Sequence, residues 1–441
     1  MANLALLGGP KAVTRGSDLA GPNGIEPFVP YTTQKGLDQV VEMIKKGETS
    51  QSQVVFDFED RFKKFVGTEY SRAFCNGTAA ILCGLYGLGL GEGDEVLVPS
   101  YTFFASATPI TAVGATPVFC EVDPDTLCID PEDIKRKLTP KTRGIVVVHT
   151  YGNPADMDAI MAIAKAHDIK VLEDCSHAHG AIYKGRQVGS IGDVGAFSLQ
   201  ASKIFYGGEA GILTTNNRDV YERAVAYSTY ETASKFPDDS PYKKYRFTAM
   251  GQHLRVHPVA IAIADDCMDH FEERCRIRNE NGKYLDSLLA DLSFIVPQRV
   301  YEGGERQYAY HLARLESDKL HGICRSVFLK ALAAEGVYCG DSAYGKVHLE
   351  PFFTEGDFLK KSFVPKNAPQ SLPVSESLSE TTFMVAPRFE NPDCRAMLDE
   401  YSIAYHKVAE NYEELLQFQK EHEAELGDLI PKSARSVNKV D

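Results

Sequence analysis

Two residues, Asp174 and Lys203, have the types and positions of reactive groups in an enzyme. Asp174 ends a short apolar run that begins at Val171, and Lys203 comes 29 residues later, just past a second run that ends near Ser198. A pair of glycines soon follows Lys203, and glycines let a ligand approach the backbone closely. If the two runs are parallel strands, both residues stand at carboxyl ends, where open α/β sheets bind ligands.

An acid and a lysine in this arrangement suit pyridoxal phosphate as a cofactor. The Lys203 amine can form an imine with the cofactor aldehyde, and the Asp174 carboxylate can keep the pyridine nitrogen protonated so that the ring accepts electrons. Lys203 would then be both nucleophile and general base. A base needs a pKa below the free lysine value of about 10.4, and burial beside a cationic cofactor would lower it.

The cofactor also needs a cradle for its phosphate and a surface for its ring. Gly77 and Thr78 stand at the predicted start of a helix, where N–H groups, a hydroxyl and the helix dipole favour a phosphate. Ser198 is a second candidate hydroxyl, and Phe103 is a candidate for stacking against the ring.

Each of these residues, taken singly, has a more ordinary explanation. An Asp after a strand most often caps a helix, a lone Lys is nearly always a solvated charge, and Asn-Gly-Thr is more often a turn. Their order along the chain, taken together, favours the functional interpretation. His177 and His179 lie two residues apart with no third ligand apparent, so no metal site is predicted.

The elements that would position these residues alternate between short β-branched runs and helical patterns. Strands are predicted at 95–98, 117–122, 144–149, 169–172, 195–199 and 211–214, and helices at 51–66, 105–113 and 156–167. The Val and Ile run at 144–149 is typical of a strand buried on both faces. The alternation implies an α/β fold with βαβ crossovers and a mostly parallel sheet in a large domain, followed by a smaller α+β domain.

The same patterns divide the chain into five segments. Residues 1–45 are rich in Gly and Pro and are predicted to form an N-terminal arm, before a large cofactor-binding domain at 46–257. A continuous helical pattern predicts one connecting helix at 258–289, which leads into a small C-terminal domain at 290–426. The tail at 427–441 is predicted to be disordered.

The composition argues against several classes of partner. The chain has 441 residues, with 47 Lys and Arg against 61 Asp and Glu, which gives a net charge of −14. Nucleic acids and anionic membrane surfaces attract basic proteins, so neither is expected as a partner. No signal-peptide pattern or membrane-spanning apolar run is found. Ten scattered cysteines predict free thiols in a reducing compartment, so a cytoplasmic location is expected.

Several longer motifs resemble the DegT/DnrJ/EryC1/StrS family of sugar aminotransferases. These motifs include Asn-Gly-Thr-Ala-Ala at 76–80, Gly-Asp-Glu-Val-Leu-Val-Pro-Ser-Tyr-Thr-Phe at 93–103, Gly-Ala-Thr-Pro-Val-Phe at 114–119 and Gly-Gly-Glu at 207–209. The resemblance implies a fold type I pyridoxal phosphate enzyme with a seven-stranded, mostly parallel sheet. It also implies a homodimer with active sites at the interface.

The resemblance assigns roles by position. Lys203 would form the imine and carry the proton between substrate and cofactor carbons, Asp174 would pair with the pyridine nitrogen, and His177 would lie near the ring's 3-oxygen or its face. Gly77, Thr78 and Ser198 would hold the phosphate, and Phe103 would stack on the ring. The family usually has Gly-x-Asn-x-Arg, whose Asn reaches the phosphate from the partner subunit. Here 251–255 reads Gly-Gln-His-Leu-Arg, and His253 could still donate a hydrogen bond there.

The resemblance also implies a reaction. The amino donor would be L-glutamate or L-glutamine, and the acceptor a keto sugar or keto cyclitol, in secondary-metabolite or polysaccharide biosynthesis. The motif around Asp174 and the segment that starts at Arg255 resemble the cyclitol and antibiotic-biosynthesis branch more than the nucleotide-sugar branch.

Candidate substrate-binding residues come from three places. Lys243 and Arg246 lie in a basic stretch that could bind a nucleotide diphosphate or could simply solvate a loop. His311 and His348, in the predicted small domain, could match the hydroxyl groups of a cyclitol. Tyr206, three residues after Lys203, is a further candidate.

Two alternatives remain open from the sequence. The same scaffold carries pyridoxal phosphate lyases, dehydratases and cyclases, which form product without consuming an amino donor. Dehydratases that resemble this family replace the lysine by His, whereas Lys203 is present here. The second alternative is a non-catalytic regulatory paralogue, and the presence of both Lys203 and Asp174 argues against it.

Overall fold

Strands and helices alternate along most of the chain. The computed structural model describes residues 3–14, 32–230, 232–246, 251–342, 344–355, 371–385 and 394–422. The strands are β1 Tyr70–Phe74, β2 Glu95–Pro99, β3 Thr116–Cys120, β4 Thr142–Val148, β5 Lys170–Asp174, β6 Ile182–Tyr183, β7 Arg186–Gln187, β8 Val194–Ser198, β9 Gly211–Thr215, β10 Ile295–Pro297, β11 Gly304–Glu305, β12 His311–Leu315, β13 Cys339–Asp341 and β14 Thr382–Val385.

The helices fill the segments between these strands. The α-helices are α1 Gln34–Lys46, α2 Gln53–Val66, α3 Gly77–Gly87, α4 Thr108–Ala112, α5 Pro131–Lys137, α6 Met157–His167, α7 Arg218–Ser228, α8 Pro258–Asp269, α9 Phe271–Leu288, α10 Arg325–Ala334, α11 Pro351–Thr354, α12 Pro373–Thr381, α13 Arg395–Glu410 and α14 Tyr412–Glu421. Short 3-10 turns link several of them, including Phe104–Ser106 and Val347–Leu349. In the part of the chain that the structure describes, none of these helices has the length and apolar character needed to cross a membrane.

The large sheet has seven strands in the order β1-β9-β8-β5-β4-β2-β3. Strand β9 runs antiparallel to both of its neighbours, and the other pairs are parallel. The predicted seven-stranded, mostly parallel sheet is therefore confirmed. Because β9 reverses between β8 and β1, the ends of β1, β5 and β8 lie at the same edge, and this edge carries the candidate site.

Both faces of the large sheet are buried, as expected for parallel strands covered by crossover helices. In β4, Ile145 and Val147 belong to one apolar core, whereas Val146 and Val148 belong to the core on the opposite face. On the first face, α2 contributes fully buried phenylalanines, each of which stabilises the fold by roughly 2–3 kcal/mol. This double burial holds the strand ends rigidly.

A second, smaller sheet lies in the C-terminal part of the chain, with four antiparallel strands in the order β10-β12-β14-β13. Its core also contains Leu4 and Val13 from the start of the chain. The buried carboxylate of Glu335 accepts hydrogen bonds from the backbone N–H groups of Ala5 (2.8 Å) and Ala12 (2.9 Å). The first described residues are thus packed into the small domain.

The predicted N-terminal arm at 1–45 therefore needs correction in its described parts. Residues 3–14 pack on the small domain, and α1 is a regular helix whose N-cap, Thr33, is bonded to Asp266 of α8. The packing of residues 3–14 leaves no local pattern, whereas the α1 helix has one, with Leu37, Val40, Val41 and Ile44 at helical spacing after Thr33, that the overall Gly and Pro content of the arm obscured. Most of the remaining arm and the predicted disordered tail at 427–441 lie outside the described residues.

The single connecting helix predicted at 258–289 is wrong, because α8 and α9 are separate helices that meet at His270. The break lets Phe271 enter a cluster of aromatic rings, with centroid distances of 5.6 Å to Phe65 and 4.8 Å to Phe205. No Gly or Pro marks the break, so the sequence gives no signal of it. Burial of an aromatic ring outweighs the continuity of one helix here.

Candidate active site

The ends of three strands converge on the candidate site. Asp174 is the last residue of β5 and Ser198 is the last residue of β8. Strand β1 ends at Phe74, three residues before α3 begins at Gly77. The sheet therefore brings Asp174, Ser198 and the N-terminus of α3 to one edge, as the strand pattern predicts.

The carboxylate of Asp174 is held by two donors. Ser106 Oγ donates to Oδ2 over 2.7 Å, and the backbone N–H of Ser176 donates to Oδ1 over 3.0 Å. Ser106 comes from the 3-10 turn after β2, 68 residues away in sequence. Sequence reasoning missed it, since no pattern marks this contact. The two donors fix the direction of the carboxylate.

Phe103 begins the same turn, because its carbonyl accepts from Ser106 N–H over 3.0 Å. Its ring is 46% exposed and lies 4.0 Å from the ring of Phe104, centroid to centroid. The turn thus places an exposed aromatic side chain next to the segment that holds Asp174. Phe103 stays the proposed stacking surface for a planar ring.

Lys203 sits in a loop that closes back on the end of β8. The loop is fastened by Gly207 N–H to Leu199 O (2.7 Å) and Ala201 N–H to Gly208 O (2.8 Å). Burial lowers the pKa of Lys203 to about 8, and the negative charge of Asp174 offsets part of this effect. The expected direction of the lysine pKa is thus confirmed.

The N-terminus of α3 forms a close cradle with Ser198. A Cβ atom placed on Gly77 would lie 2.7 Å from Ser198 Cβ, so only glycine lets the serine side chain approach the helix. Asn76 caps the helix by accepting from Ala79 N–H over 2.8 Å. Helix N-termini offer unsatisfied N–H groups and a positive dipole, and exposed Thr78 adds a hydroxyl. The donor set suits a phosphate dianion.

His177 is packed between aromatic rings. Its Nδ1 lies 2.8 Å from the hydroxyl of Tyr344, and its ring stacks against Tyr151 with a centroid distance of 5.4 Å. Burial lowers the pKa of His177 well below its ordinary value, and the charge of Lys203 lowers it further. His177 is therefore neutral at neutral pH and lies within electrostatic range of Lys203. Neither tyrosine was among the predicted site residues.

A buried cluster of His149, Glu173 and Cys175 has metal-like spacing but is a hydrogen-bond network. Glu173 accepts from His149 Nε2 over 2.9 Å, and from the backbone N–H groups of residues 189, 191 and 192. His149 Nδ1 accepts from Ala155 N–H over 3.1 Å, so both ring nitrogens are occupied. Burial would raise the pKa of Glu173, but these donors lower it. The network anchors the strand that carries Asp174.

His253 lies on an exposed segment beside the start of α3. Its φ of 53° is in the left-handed region, where Asn and His are enriched among non-glycine residues. Replacement of the usual Asn by His therefore keeps a backbone-compatible residue. The carbonyl of Leu254 accepts from Cys75 N–H over 2.9 Å. The segment that carries His253 therefore lies close to the phosphate cradle at the start of α3 in the same chain.

The five candidate substrate residues all have other surroundings. Tyr206 is buried in the large-domain core, and His311 is 2% exposed and bonded to Asp286 over 2.8 Å. His348 bonds to Ser100 Oγ over 2.5 Å.

The two basic candidates lie in the loop after α7. Lys243 pairs with Asp238 over 2.5 Å, and Arg246 is exposed. The substrate role of all five candidates stays a prediction.

These residues fit pyridoxal phosphate. The Gly77–Ser198 approach builds a cradle that a side chain at 77 would fill. Lys203 is an amine with a lowered pKa, and Asp174 is a positioned carboxylate at the same sheet edge. Among the residues that the structure describes, none hydrogen-bonds to Lys203 Nζ, so the amine is available.

Comparisons with known proteins identify the family. A model of the DegT/DnrJ/EryC1/StrS aminotransferase family matches residues 30–388. The chain is 32% identical over 335 residues to L-glutamine:2-deoxy-scyllo-inosose aminotransferase of Streptoalloteichus tenebrarius, covering 73% of this chain and 78% of that protein. It is 30% identical over 367 residues to spore coat polysaccharide biosynthesis protein SpsC of Bacillus subtilis, covering 80% and 94%.

Solved structures show the same relationship. The aminotransferase from Psychrobacter cryohalolentis superimposes with a TM-score of 0.79 at 31% identity, covering 87% of this chain and 98% of that one. DesI, solved in the presence of its TDP-sugar product, gives 0.76 at 25% identity, covering 95% and 99%. The family resemblance seen in the sequence is therefore confirmed. The chain belongs to the DegT/DnrJ/EryC1/StrS aminotransferase family and is a pyridoxal phosphate-dependent enzyme.

Proposed function

We propose that the protein transfers an amino group from L-glutamine or L-glutamate to a keto cyclitol or keto sugar. The proposal rests mainly on Lys203 and Asp174, which lie at one edge of the sheet. Burial lowers the pKa of Lys203 to about 8. The two residues supply the amine and the carboxylate that the proposed amino transfer needs. The presence of the lysine, with a pKa suited to a base, favours transfer over dehydration.

The names of relatives support an acceptor of this class. Two relatives are L-glutamine-dependent aminotransferases of inosose substrates, at 32% and 31% identity. SpsC is named for spore coat polysaccharide biosynthesis. The inososes named for the first two are polyhydroxylated ring ketones, which supports an acceptor of that class for this chain, in secondary-metabolite or polysaccharide biosynthesis.

The residues of the chain divide the work between binding and proton transfer. When bound, pyridoxal phosphate supplies an aldehyde carbon that stores the amino group and a ring that accepts electrons. Asp174, fixed by Ser106, would hold the ring nitrogen in its charged form, and the α3 cradle would hold the phosphate. Lys203, once released from the cofactor, would move the proton at the substrate carbon.

The loop after α7 argues for an acceptor without a nucleotide diphosphate. Lys243 is paired with Asp238 over 2.5 Å, and the neighbouring Asp239 is bonded to Arg218 over 2.7 Å. Asp238 therefore offsets the charge of Lys243, one of the cations that would otherwise attract a diphosphate, whereas the charge of Asp239 is offset by Arg218. A keto cyclitol needs hydroxyl-matching groups rather than a basic patch.

We also propose a homodimer that works in the cytoplasm. In this arrangement His253 of one subunit contributes to the phosphate site of the other, as the position of the family Asn implies. The exposed position of His253 is consistent with a contact outside its own chain. All ten cysteines are free thiols, which supports a reducing compartment.

A panel of acceptors tests the proposed function. Protein loaded with the pyridoxamine form is mixed with keto cyclitols, free keto sugars, nucleotide-linked keto sugars and keto acids, and the return of the visible cofactor absorption is recorded. Keto cyclitols are expected to give the fastest return, and the Lys203→Ala protein none. Failure of every sugar and cyclitol, or product formation without consumption of an amino donor, would contradict the proposal.

A further inference from the structure

Tyr344 reaches the candidate site from the C-terminal part of the chain. Its hydroxyl lies 2.8 Å from His177 Nδ1, although the two residues are 167 positions apart in sequence. The side chain is 6% exposed, and its ring plane is parallel to that of the imidazole within 4°, with the centroids 5.8 Å apart. The contact is therefore a buried hydrogen bond between two parallel rings.

A third ring packs against both of these rings. Tyr151 stacks on Tyr344 with a centroid distance of 4.6 Å at 28°, and on His177 with 5.4 Å at 30°. Tyr310 meets His177 edge-on at 6.3 Å. The imidazole is thus restrained by stacked rings and by an edge contact, so its rotation would break several packed contacts.

The protonation states of the two hydrogen-bonded groups are defined by burial. Burial raises the pKa of Tyr344 well above its ordinary value, and the charge of Asp174 raises it further. Burial lowers the pKa of His177 well below its ordinary value. A neutral phenol therefore faces a neutral imidazole, and only one of them donates in their shared hydrogen bond.

The direction of that hydrogen bond follows from the available partners. Within the described residues, His177 is the one hydrogen-bond partner of the Tyr344 hydroxyl. If Nδ1 carried the proton and donated, the phenol proton would have no acceptor, which costs about 1–3 kcal/mol for a buried donor. If the phenol donates to Nδ1, the bond is satisfied and the imidazole carries its proton on Nε2.

We propose that Tyr344 is a positioning residue that fixes His177 as the Nε2–H tautomer. With Nδ1 occupied by Tyr344, Nε2–H is the ring group of His177 left to donate to an acceptor oxygen of the cofactor. Tyr344 lies between β13 and the 3-10 turn Val347–Leu349. The C-terminal part of the chain therefore determines that Nε2 of His177 carries the proton. The inference rests on the proposed function only for the identity of the acceptor oxygen.

The test reads the tautomer in cofactor-free protein, so it does not depend on activity. Protein labelled with ¹⁵N-histidine is studied by NMR, and the His177 signals are assigned by their loss in His177→Gln. In the wild type, Nδ1 is expected to have the shift of an unprotonated acceptor and Nε2 that of a protonated nitrogen. A wild-type Nδ1–H tautomer would overturn the proposal, whether or not any variant folds.

The variant Tyr344→Phe removes the donor and keeps the ring. It is expected to produce a mixture of the two tautomers and, in the loaded enzyme, to lower kcat about tenfold with little change in KM for the amino donor. Tyr338→Phe, at an exposed tyrosine of the same part of the chain, is the matched control and should leave the tautomer and kcat unchanged. An unchanged tautomer in folded Tyr344→Phe would refute the assignment. If the wild-type protein turned over no keto cyclitol or keto sugar acceptor, that result would instead count against the proposed function.

Discussion

At the scale of single residues, the chemistry of Lys203 is decided by two opposed effects. Burial disfavours the charged ammonium, whereas the charge of Asp174 favours it, and burial is the larger effect because the pKa falls from 10.5 to about 8. A shift of one pKa unit corresponds to about 1.4 kcal/mol between the two protonation states. The amine is therefore partly neutral at physiological pH, as a general base must be.

This balance predicts a pH dependence for the second half-reaction. In pyridoxamine-loaded protein Lys203 is not bonded to the cofactor, and only its neutral form can accept a proton. The single-turnover rate with a ketone should therefore rise about tenfold per pH unit below about 8 and level off above it. Stopped-flow absorbance from pH 6.5 to 9.5 gives the profile, with circular dichroism as the control for folding. A flat profile between pH 7 and 9 would contradict the assignment of Lys203 as the base.

The sequence shows some of these residues and hides others for a physical reason. Asp174 and Lys203 follow strand patterns that can be found locally, so their positions at the sheet edge could be predicted. Ser106 and Tyr344 act on the site through contacts across 68 and 167 residues. Composition and periodicity carry no information on such contacts, which arise only from tertiary packing.

At the scale of elements, the approach of α3 to the end of β8 builds the phosphate cradle. The predicted strands and helices of the large domain are largely present, because their apolar runs match burial on both faces. Strand β1 was not predicted, since it buries Ser71 and Arg72 and therefore lacks a clear pattern. Glu59 of α2 contacts both residues: its backbone carbonyl accepts a hydrogen bond from Ser71 Oγ over 2.6 Å, and its carboxylate pairs with Arg72 over 3.5 Å.

The cradle predicts an effect for a single methyl group. In Gly77→Ala the new Cβ would lie 2.7 Å from Ser198 Cβ and 2.9 Å from its Cα, so the helix start must shift. The dissociation constant for pyridoxal phosphate, measured by fluorescence titration of cofactor-free protein, is expected to rise at least about tenfold through loss of phosphate contacts. Gly340→Ala, where the added Cβ meets no atom within 4 Å, is the matched control. If both variants bound pyridoxal phosphate with the same affinity, the N-terminus of α3 would not be the phosphate-binding site.

At the scale of the whole molecule, the two ends of the described chain join in one small domain. Leu4 and Val13 pack into the same core as α13, and Lys407 bonds to Glu335, which also holds the N-terminal backbone. This arrangement was not predicted, because long-range pairing of the termini leaves no local pattern. The net charge of −14 still predicts that the protein has no nucleic-acid partner.

The proposed dimer with shared sites predicts complementation between inactive subunits. Lys203→Ala and His253→Ala proteins are mixed under conditions in which subunit exchange is demonstrated, after each is shown to be inactive alone. If His253 serves the opposite subunit, each mixed dimer has one intact site, and roughly a quarter of all sites recover. Absence of recovery would indicate that His253 serves its own chain, as its position beside Cys75 would allow, or that the site is not shared.

The most direct test of the account is to find where the cofactor bonds to the chain. Holoenzyme is reduced with borohydride, digested with trypsin and mapped by mass spectrometry, with the Lys203→Ala protein as control. The account predicts a phosphopyridoxyl group on Lys203, which blocks cleavage there and gives a labelled peptide spanning 187–218. A label on any other lysine, or none on a protein that binds the cofactor, would contradict it.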